Sequence, residues 1–271
     1  MRKRTLIWAG ATLLFSPFLI FADWPNHRGG ASLSGVSSGE LETELILEWT
    51  FDAGKFLKSS PVVSGDLVFL GGSTGNFHAL DRVTGKEVWK KNIGVGVDAP
   101  ALIQEGLVYA GTKDGFVVCL DTQTGEKKWS YETMGEIVGA PNIASHPKDG
   151  RPLILVGSYD NFVHCLDATD GKLLWKFETM NYINGTPAVW GKEAVVFGGC
   201  DAQLYVISLL DGHLIRQADL GAPIASSVGL MDRFGYVGNM DKSVQAIDLT
   251  TGQIAWTYEP KNFPYFSSPA L

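Results

Sequence analysis

The chain has 271 residues, 45% of them apolar and 19% charged, with 32 glycines and eight tryptophans, the profile of an ordinary globular protein rich in short strands and tight turns. Its net charge is −7. Residues 1–22 hold three of the basic residues and no acidic one, so the remainder carries 19 basic against 29 acidic residues, a net of −10. Such a surface repels phosphate backbones and anionic lipid, which argues against a nucleic acid partner.

Arg2, Lys3 and Arg4 precede an almost wholly apolar run from Leu6 to Phe21, and Ile20-Phe21-Ala22 offers a cleavage site before Asp23. This is the pattern of a secretory signal over residues 1–22. The run is close to the minimum length of a membrane span, but Pro17 and the Ala22 site fit cleavage better than retention. No cysteine follows it to carry a lipid. The expectation is an exported protein, periplasmic or secreted, with no membrane span after cleavage. Residues 23–46 then form an N-terminal extension, and residues 47–271 the folded array.

That array repeats itself five times. The first copy reads Ser59-Ser60-Pro61, Leu67 to Gly71, Phe77-His78-Ala79-Leu80-Asp81, Thr84-Gly85 and Trp89. The later copies carry their turn glycines at Gly125, Gly171, Gly212 and Gly252, spaced by 40, 46, 41 and 40 residues from Gly85 onward. The longer interval comes from an extra loop over Ser145 to Arg151. Each copy predicts four short strands. The first begins near a proline, where a missing N–H is tolerated. The second ends in Gly, and a turn follows that often holds Asp: Asp114, Asp160, Asp201 and Asp241. The third ends in Leu-Asp, and an Asp-x-x-Thr-Gly turn leads to a fourth strand carrying Trp. Asp81, Asp121, Asp167 and Asp248 suit that turn because their carboxylates accept backbone N–H bonds, and glycine takes the positive φ it needs. A four-stranded antiparallel unit of about 40 residues is a propeller blade. The fold class is therefore all-β, a β-propeller of five complete repeats and two partial ones. Leu47-Glu48-Trp49-Thr50-Phe51 reads as a fourth strand without its first three, and Ser267-Ser268-Pro269-Ala270-Leu271 restarts the pattern of Ser59 to Val63. The array is expected to be incomplete at its C-terminal side.

The run Gly-x-x-x-Gly…Ala-Leu-Asp-x-x-Thr-Gly-x-x-x-Trp, clearest over Gly71 to Trp89 and Gly111 to Trp129, resembles the pyrroloquinoline-quinone-like (PQQ-like) repeat family. The resemblance covers Leu47 to Leu271, and Asp23-Trp24-Pro25-Asn26-His27-Arg28-Gly29 is similar to the start of mature exported members. It implies a ring that is usually eight-bladed, in which the recurring tryptophan docks between neighbouring blades. Trp49, Trp89, Trp129, Trp175 and Trp256 match that position. Arg216 stands in its place in the fourth repeat and Ser208 replaces the turn Asp, so weaker packing is expected there.

The family contains quinoprotein dehydrogenases, which bind PQQ and a metal, usually calcium, and non-enzymatic scaffolds of the BamB type. The alcohol dehydrogenases among them stack the quinone on a disulfide between adjacent cysteines, and no such pair exists here. Cys119 and Cys165 occupy one position in consecutive blades. Packed sheets lie about 10 Å apart, whereas a disulfide needs Cα atoms within about 7 Å. They read as small buried residues, like Ala79 and Ala246. His78 and His164 are likewise equivalent and read as strand-packing or surface residues rather than metal ligands. Asp114, Asp160, Asp201 and Asp241 read as turn residues rather than a calcium ring. No catalytic motif stands out. The leading expectation is a non-catalytic scaffold for protein partners in the cell envelope, without a cofactor. The alternatives are a PQQ- and calcium-dependent dehydrogenase or a degenerate relative of one, and a carbohydrate- or polymer-binding propeller.

Overall fold

The computed structural model describes residues 23–37, 39, 44–54, 56–260 and 263–271; the expected signal peptide lies outside them. Twenty strands form five antiparallel sheets, each taken consecutively from the chain. The first sheet comprises β1 (Val62–Ser64), β2 (Leu67–Gly71), β3 (Asn76–Asp81) and β4 (Glu87–Asn92). The second comprises β5 (Leu102–Gln104), β6 (Leu107–Gly111), β7 (Phe116–Asp121) and β8 (Lys127–Glu132). The third holds β9 (Asn142–Ser145), β10 (Pro152–Gly157), β11 (Phe162–Asp167) and β12 (Leu173–Glu178). The fourth holds β13 (Ala188–Trp190), β14 (Ala194–Gly198), β15 (Gln203–Ser208) and β16 (Leu214–Asp219). The fifth holds β17 (Gly229–Met231), β18 (Phe234–Gly238), β19 (Val244–Asp248) and β20 (Gln253–Tyr258).

Burial explains the sequence pattern of these strands. A middle strand with a neighbouring sheet on both faces is buried throughout, as Leu153-Ile154-Leu155-Val156-Gly157 of β10 is, and reads as a continuous apolar run. The outermost strand meets solvent, and in β4 only Trp89 is buried. The four large cores lie between successive sheets: Phe69 with Val108, Tyr109 with Ile154, Leu155 with Phe197, and Val196 with Ile247. The sheets therefore stack face on face, as blades of a propeller do.

Every sheet carries a bulge at the same place, between the third and fourth strands. The residue before it faces the outer-strand tryptophan or its replacement: Ala79 faces Trp89, Cys119 faces Trp129, Cys165 faces Trp175, Val206 faces Arg216 and Ala246 faces Trp256. A small side chain leaves room for the indole: Ala or Cys stands opposite each of the four tryptophans, and the larger Val206 stands opposite Arg216.

The expected partial strand at Leu47–Phe51 is not a strand. Its backbone joins no ladder, and Leu47 is exposed. A strand exists only when hydrogen-bonded to a neighbour, and among the described residues none runs beside this segment. What holds it is side-chain packing on the first sheet: Trp49, described below, and Phe51, which lies edge-on to His78 at 5.2 Å and against Val68, Leu70 and Leu80.

Candidate functional site

The blade junctions repeat one arrangement. The indole Nε1–H of Trp49 donates to the Arg82 carbonyl at 2.9 Å, that of Trp89 to Thr122 at 2.9 Å, that of Trp129 to Ala168 at 3.0 Å and that of Trp175 to Leu209 at 3.1 Å. In each case the acceptor belongs to the turn before the next outer strand. The same indole lies over that turn's glycine: Trp49 on Gly85, Trp89 on Gly125, Trp129 on Gly171 and Trp175 on Gly212. These glycines have φ between +67° and +75°. At Gly171 a Cβ would come within 2.5 Å of the Trp129 ring, so both the backbone and the packing require glycine. The turns are closed from within. Asp81 Oδ1 accepts the Thr84 N–H and hydroxyl, Asp121 Oδ1 those of Thr124, and Asp248 Oδ1 those of Thr250, while Asp167 Oδ1 accepts the Thr169 N–H. Threonine hydrogen bonds hold the Asp81, Asp121 and Asp248 carboxyls below the usual range.

Two junction positions differ. Gly252 has the same φ, +75°, but faces only Gln217 O at 3.4 Å and Arg216 side-chain atoms at 3.8 Å from its would-be Cβ. Among the described residues no further blade lies beside Trp256, which is 47% exposed, with Ile254 and Tyr258 exposed next to it.

The axis of the arc is occupied by the chain's own residues 23–35. Each innermost strand has one edge free of its sheet, and this segment supplies acceptors for it. Trp24 and Val63 exchange both backbone bonds at 2.9 Å. Ile103 N–H donates to Pro25 O, Val189 to Ala31 O, Leu230 to Ser32 O and Leu271 to Ser34 O, at 2.7–2.9 Å. Counted from their ladders, Val63, Ile103, Val189 and Leu230 are the same position of successive sheets. In the third sheet a side chain does this work. Asn142 Oδ1 accepts the Ile143 N–H, and its Nδ2 donates to Ala31 O and Pro187 O at 2.9 and 2.8 Å. Leu33 is fully buried between the fourth and fifth sheets. Arg28, at φ +62°, donates to the carbonyls of Leu33 and Pro269. Burial and the Arg28 charge lower the His27 pKa to about 4.

The two ends of the blades differ in the apolar side chains they expose. One end carries the turns between second and third strands and the connections between blades. In the second, third and fourth sheets the Asp of this turn clamps the preceding connection: Asp114 Oδ1 accepts the Val95 N–H at 3.2 Å, Asp160 Oδ2 that of Met134 at 3.2 Å and Asp201 Oδ2 that of Met180 at 3.1 Å. The clamped side chains point to solvent, Val95 67%, Met134 86% and Met180 89% exposed. Tyr182 and Met240 are exposed on the same end. Described residues between strands there include Asp98, Asp114, Glu136, Asp160, Asp201 and Asp241, with Lys58, Lys113 and Lys242. The turns at the opposite end, their Asp81, Asp121, Asp167 and Asp248 included, carry twelve acidic and seven basic residues, and Val83 is their one exposed large apolar side chain among the described residues. Several acidic residues at the first end are built into the fold. Asp160 is also hydrogen-bonded to His164, which outweighs its burial and lowers its pKa to about 2.

His164 is buried and bridges Asp160 Oδ2 at 3.0 Å and the Tyr131 hydroxyl at 3.1 Å, while His78 sits 2.7 Å from Glu87. Each histidine is thus engaged within its own surroundings. Cys119 and Cys165 are buried free thiols pushed up to about 12 by burial, and Cys200 is a half-buried free thiol. The described residues do not fit a calcium-and-quinone site: no three His, Cys, Asp or Glu among them are placed to hold a metal, and the recurring Asp residues face separate connections.

Stacked four-stranded sheets, a bulge opposite the outer tryptophan and indole-on-glycine junctions define an all-β propeller of PQQ-like repeats. The chain belongs to the family described as outer membrane protein assembly factor BamB, whose model matches residues 27–258. Among curated relatives, a BamB from Burkholderia pseudomallei (strain K96243) is 31% identical, with 31% of this chain and 32% of that protein covered. A quinoprotein ethanol dehydrogenase from Pseudomonas putida is 38% identical over 25% of this chain and 11% of its own length. The chain thus spans a third or less of these relatives. Among solved structures, BamB from Moraxella catarrhalis matches with a TM-score of 0.69 and 23% identity, covering 80% of this chain and 66% of that one. A computationally designed protein, Ika8, matches at 0.65 and 17%, covering 78% and 64%. These structural likenesses speak to the fold alone.

Proposed function

We propose that this protein is exported, is cut before Asp23, and serves as a non-catalytic scaffold that binds proteins in the cell envelope. Family membership supports the reading, and one structural observation carries it: the blade end on which Val95, Met134, Met180, Tyr182 and Met240 are all exposed. Monomeric proteins rarely display apolar side chains in such a grouping without a partner to cover them. The tryptophans and Asp-x-x-Thr-Gly turns are proposed as structural, holding the blades so that this end keeps its shape, and residues 47–271 as one propeller.

The test is photo-crosslinking in intact cells of the native host, with a photoreactive residue placed in turn on both blade ends. A discrete protein adduct at native expression supports the scaffold reading, and none from either end overturns it. Edman sequencing of the mature chain should start at Asp23. Saturable PQQ binding in the presence of calcium, with dye-linked alcohol oxidation, would replace the scaffold with the quinoprotein alternative.

A further inference from the structure

We propose that a cavity beside the axial segment binds a small α-hydroxy carboxylate, with Arg28 taking the carboxylate and Asn26 Oδ1 accepting from the hydroxyl. The inference is independent of the scaffold reading and adds a ligand site to it.

The cavity measures about 250 Å³ and lies where the axial segment passes the entries to β1 and β5. Trp24, Asn26, His27 and Arg28 line it from one side, Pro61 and Ala270 from the other. Its first distinctive feature is an unneutralised cation. Arg28 is partly buried, and no carboxylate among the described residues is paired with it. Burial pulls its pKa below the ordinary arginine value, and no acidic neighbour holds it up. This occurs in a protein whose residues 23–271 carry a net charge of −10, although a charge withdrawn from water ordinarily has a partner. Arg28 Nε donates to Leu33 O and Nη2 to Pro269 O. The remaining N–H donors of the planar fork are free to bind a carboxylate. Gly35 makes room for the guanidinium, because a Cβ there would collide with Nη2.

The second feature is an unmet acceptor. Asn26 is 4% exposed. Its Nδ2 is directed at Asn142 Oδ1, 3.5 Å away, and its Oδ1, on the other arm of the amide, has no partner. A buried carbonyl without a donor is costly, and a hydroxyl next to the bound carboxylate would supply one. Arg28 is the one charged side chain lining the cavity, since His27 is neutral above about pH 4. A single cation suits a monoanion better than a phosphate dianion. Trp24 and Pro61 offer apolar surface to the carbon atoms of the ligand.

The full mature chain is titrated by calorimetry with glycerate, acetate, glycerol and inorganic phosphate. Glycerate is expected to bind, acetate about tenfold more weakly for want of the hydroxyl, and glycerol not at all. Saturation with glycerate should raise the His27 pKa above its value of about 4, read from the imidazole proton resonances, because a nearby anion favours imidazolium. An Arg28 that only braces the axial segment would leave that pKa unmoved. Arg28→Gln should abolish binding. Ala270 is exposed at the cavity mouth, so Ala270→Glu tests the site without disturbing the fold. Its tethered carboxylate should weaken glycerate about tenfold or more, with circular dichroism unchanged, and Ala270→Gln should have little effect. If Arg28→Gln fails to fold, the Ala270 pair decides. Absence of saturable glycerate binding, equal binding of acetate, preference for phosphate, or equal effects of Ala270→Glu and Ala270→Gln overturns the proposal. None of these outcomes bears on the crosslinking test of the scaffold.

Discussion

Gly171 and Gly252 offer a controlled comparison of what the docked indole contributes. Both sit at the same place in their turns, with φ of +74° and +75°. Replacing either with alanine forces a left-handed backbone on a residue with a Cβ, at about 1–2 kcal/mol. Loss of freedom in the unfolded chain returns about 0.4–1 kcal/mol of that. Gly252→Ala meets nothing closer than 3.4 Å and should cost about 1 kcal/mol in total. Gly171→Ala drives a Cβ to 2.5 Å from Trp129 Cε3. That indole cannot swing aside without breaking its 3.0 Å bond to Ala168 O, so an overpacking cost of about 1–3 kcal/mol is added. Urea unfolding of the full chain, followed by far-ultraviolet circular dichroism, measures both. The decisive step is the double mutant: in a Trp129→Ala background, Gly171→Ala should fall to the cost of Gly252→Ala. Equal costs for the two glycines in the wild-type background, or strict additivity with Trp129→Ala, would refute the docking argument.

Arg216→Trp should restore the missing junction on Gly252, with Leu249 O as acceptor, and raise the urea midpoint by an amount equivalent to about 1 kcal/mol; no change would mean the fifth sheet is held independently of its outer strand. Asn142→Ala removes the bridge to Ala31 O, Pro187 O and the Ile143 N–H. Leaving such buried groups unmet costs about 1–3 kcal/mol, and hydrogen exchange should accelerate at Ile143. Burial and the Arg28 charge hold the His27 pKa at about 4 in the folded protein, below the ordinary histidine value of 6.5. The unfolded chain therefore takes up the proton first as pH falls, so stability is full above about 6.5, declines down to about 4 and levels off below. His27→Gln should flatten that part of the pH profile relative to wild type, and an unchanged slope would contradict the burial of this ring.

The blade is legible in the sequence because its determinants are local. A turn that needs Asp, Thr and a positive-φ glycine within five residues leaves a fixed signature, and the tryptophan stands at a constant offset from it. The same locality misleads at Leu47–Phe51. Its alternating residues look like an outer strand, but a strand is a relation between two chains of backbone, and no ladder partner is present among the described residues. The methionine-bearing end becomes visible only after strands and connections are assigned, since Met134 and Met180 are about one repeat apart and look unremarkable singly.

The axial segment was hidden for a different reason. Its bonds to the five sheets run through the carbonyls of Trp24, Pro25, Ala31 and Ser32, and a backbone carbonyl carries no side-chain signal. Only Asn142 betrays it. A fully buried asparagine at the start of an inner strand, where the other sheets have Val62, Leu102, Ala188 and Gly229, demands partners that its own sheet does not offer. The segment makes its turn at His27–Arg28, next to that asparagine, and this is where its regular carbonyl-to-strand pairing is interrupted. Asn142 substitutes a side chain for the lost backbone acceptor and so keeps the third sheet joined to the axis. Acceptors along the axis and indoles between the blades together fix the sheets from two sides, which is what allows the connections bearing Val95, Met134 and Met180 to hold their apolar side chains in water.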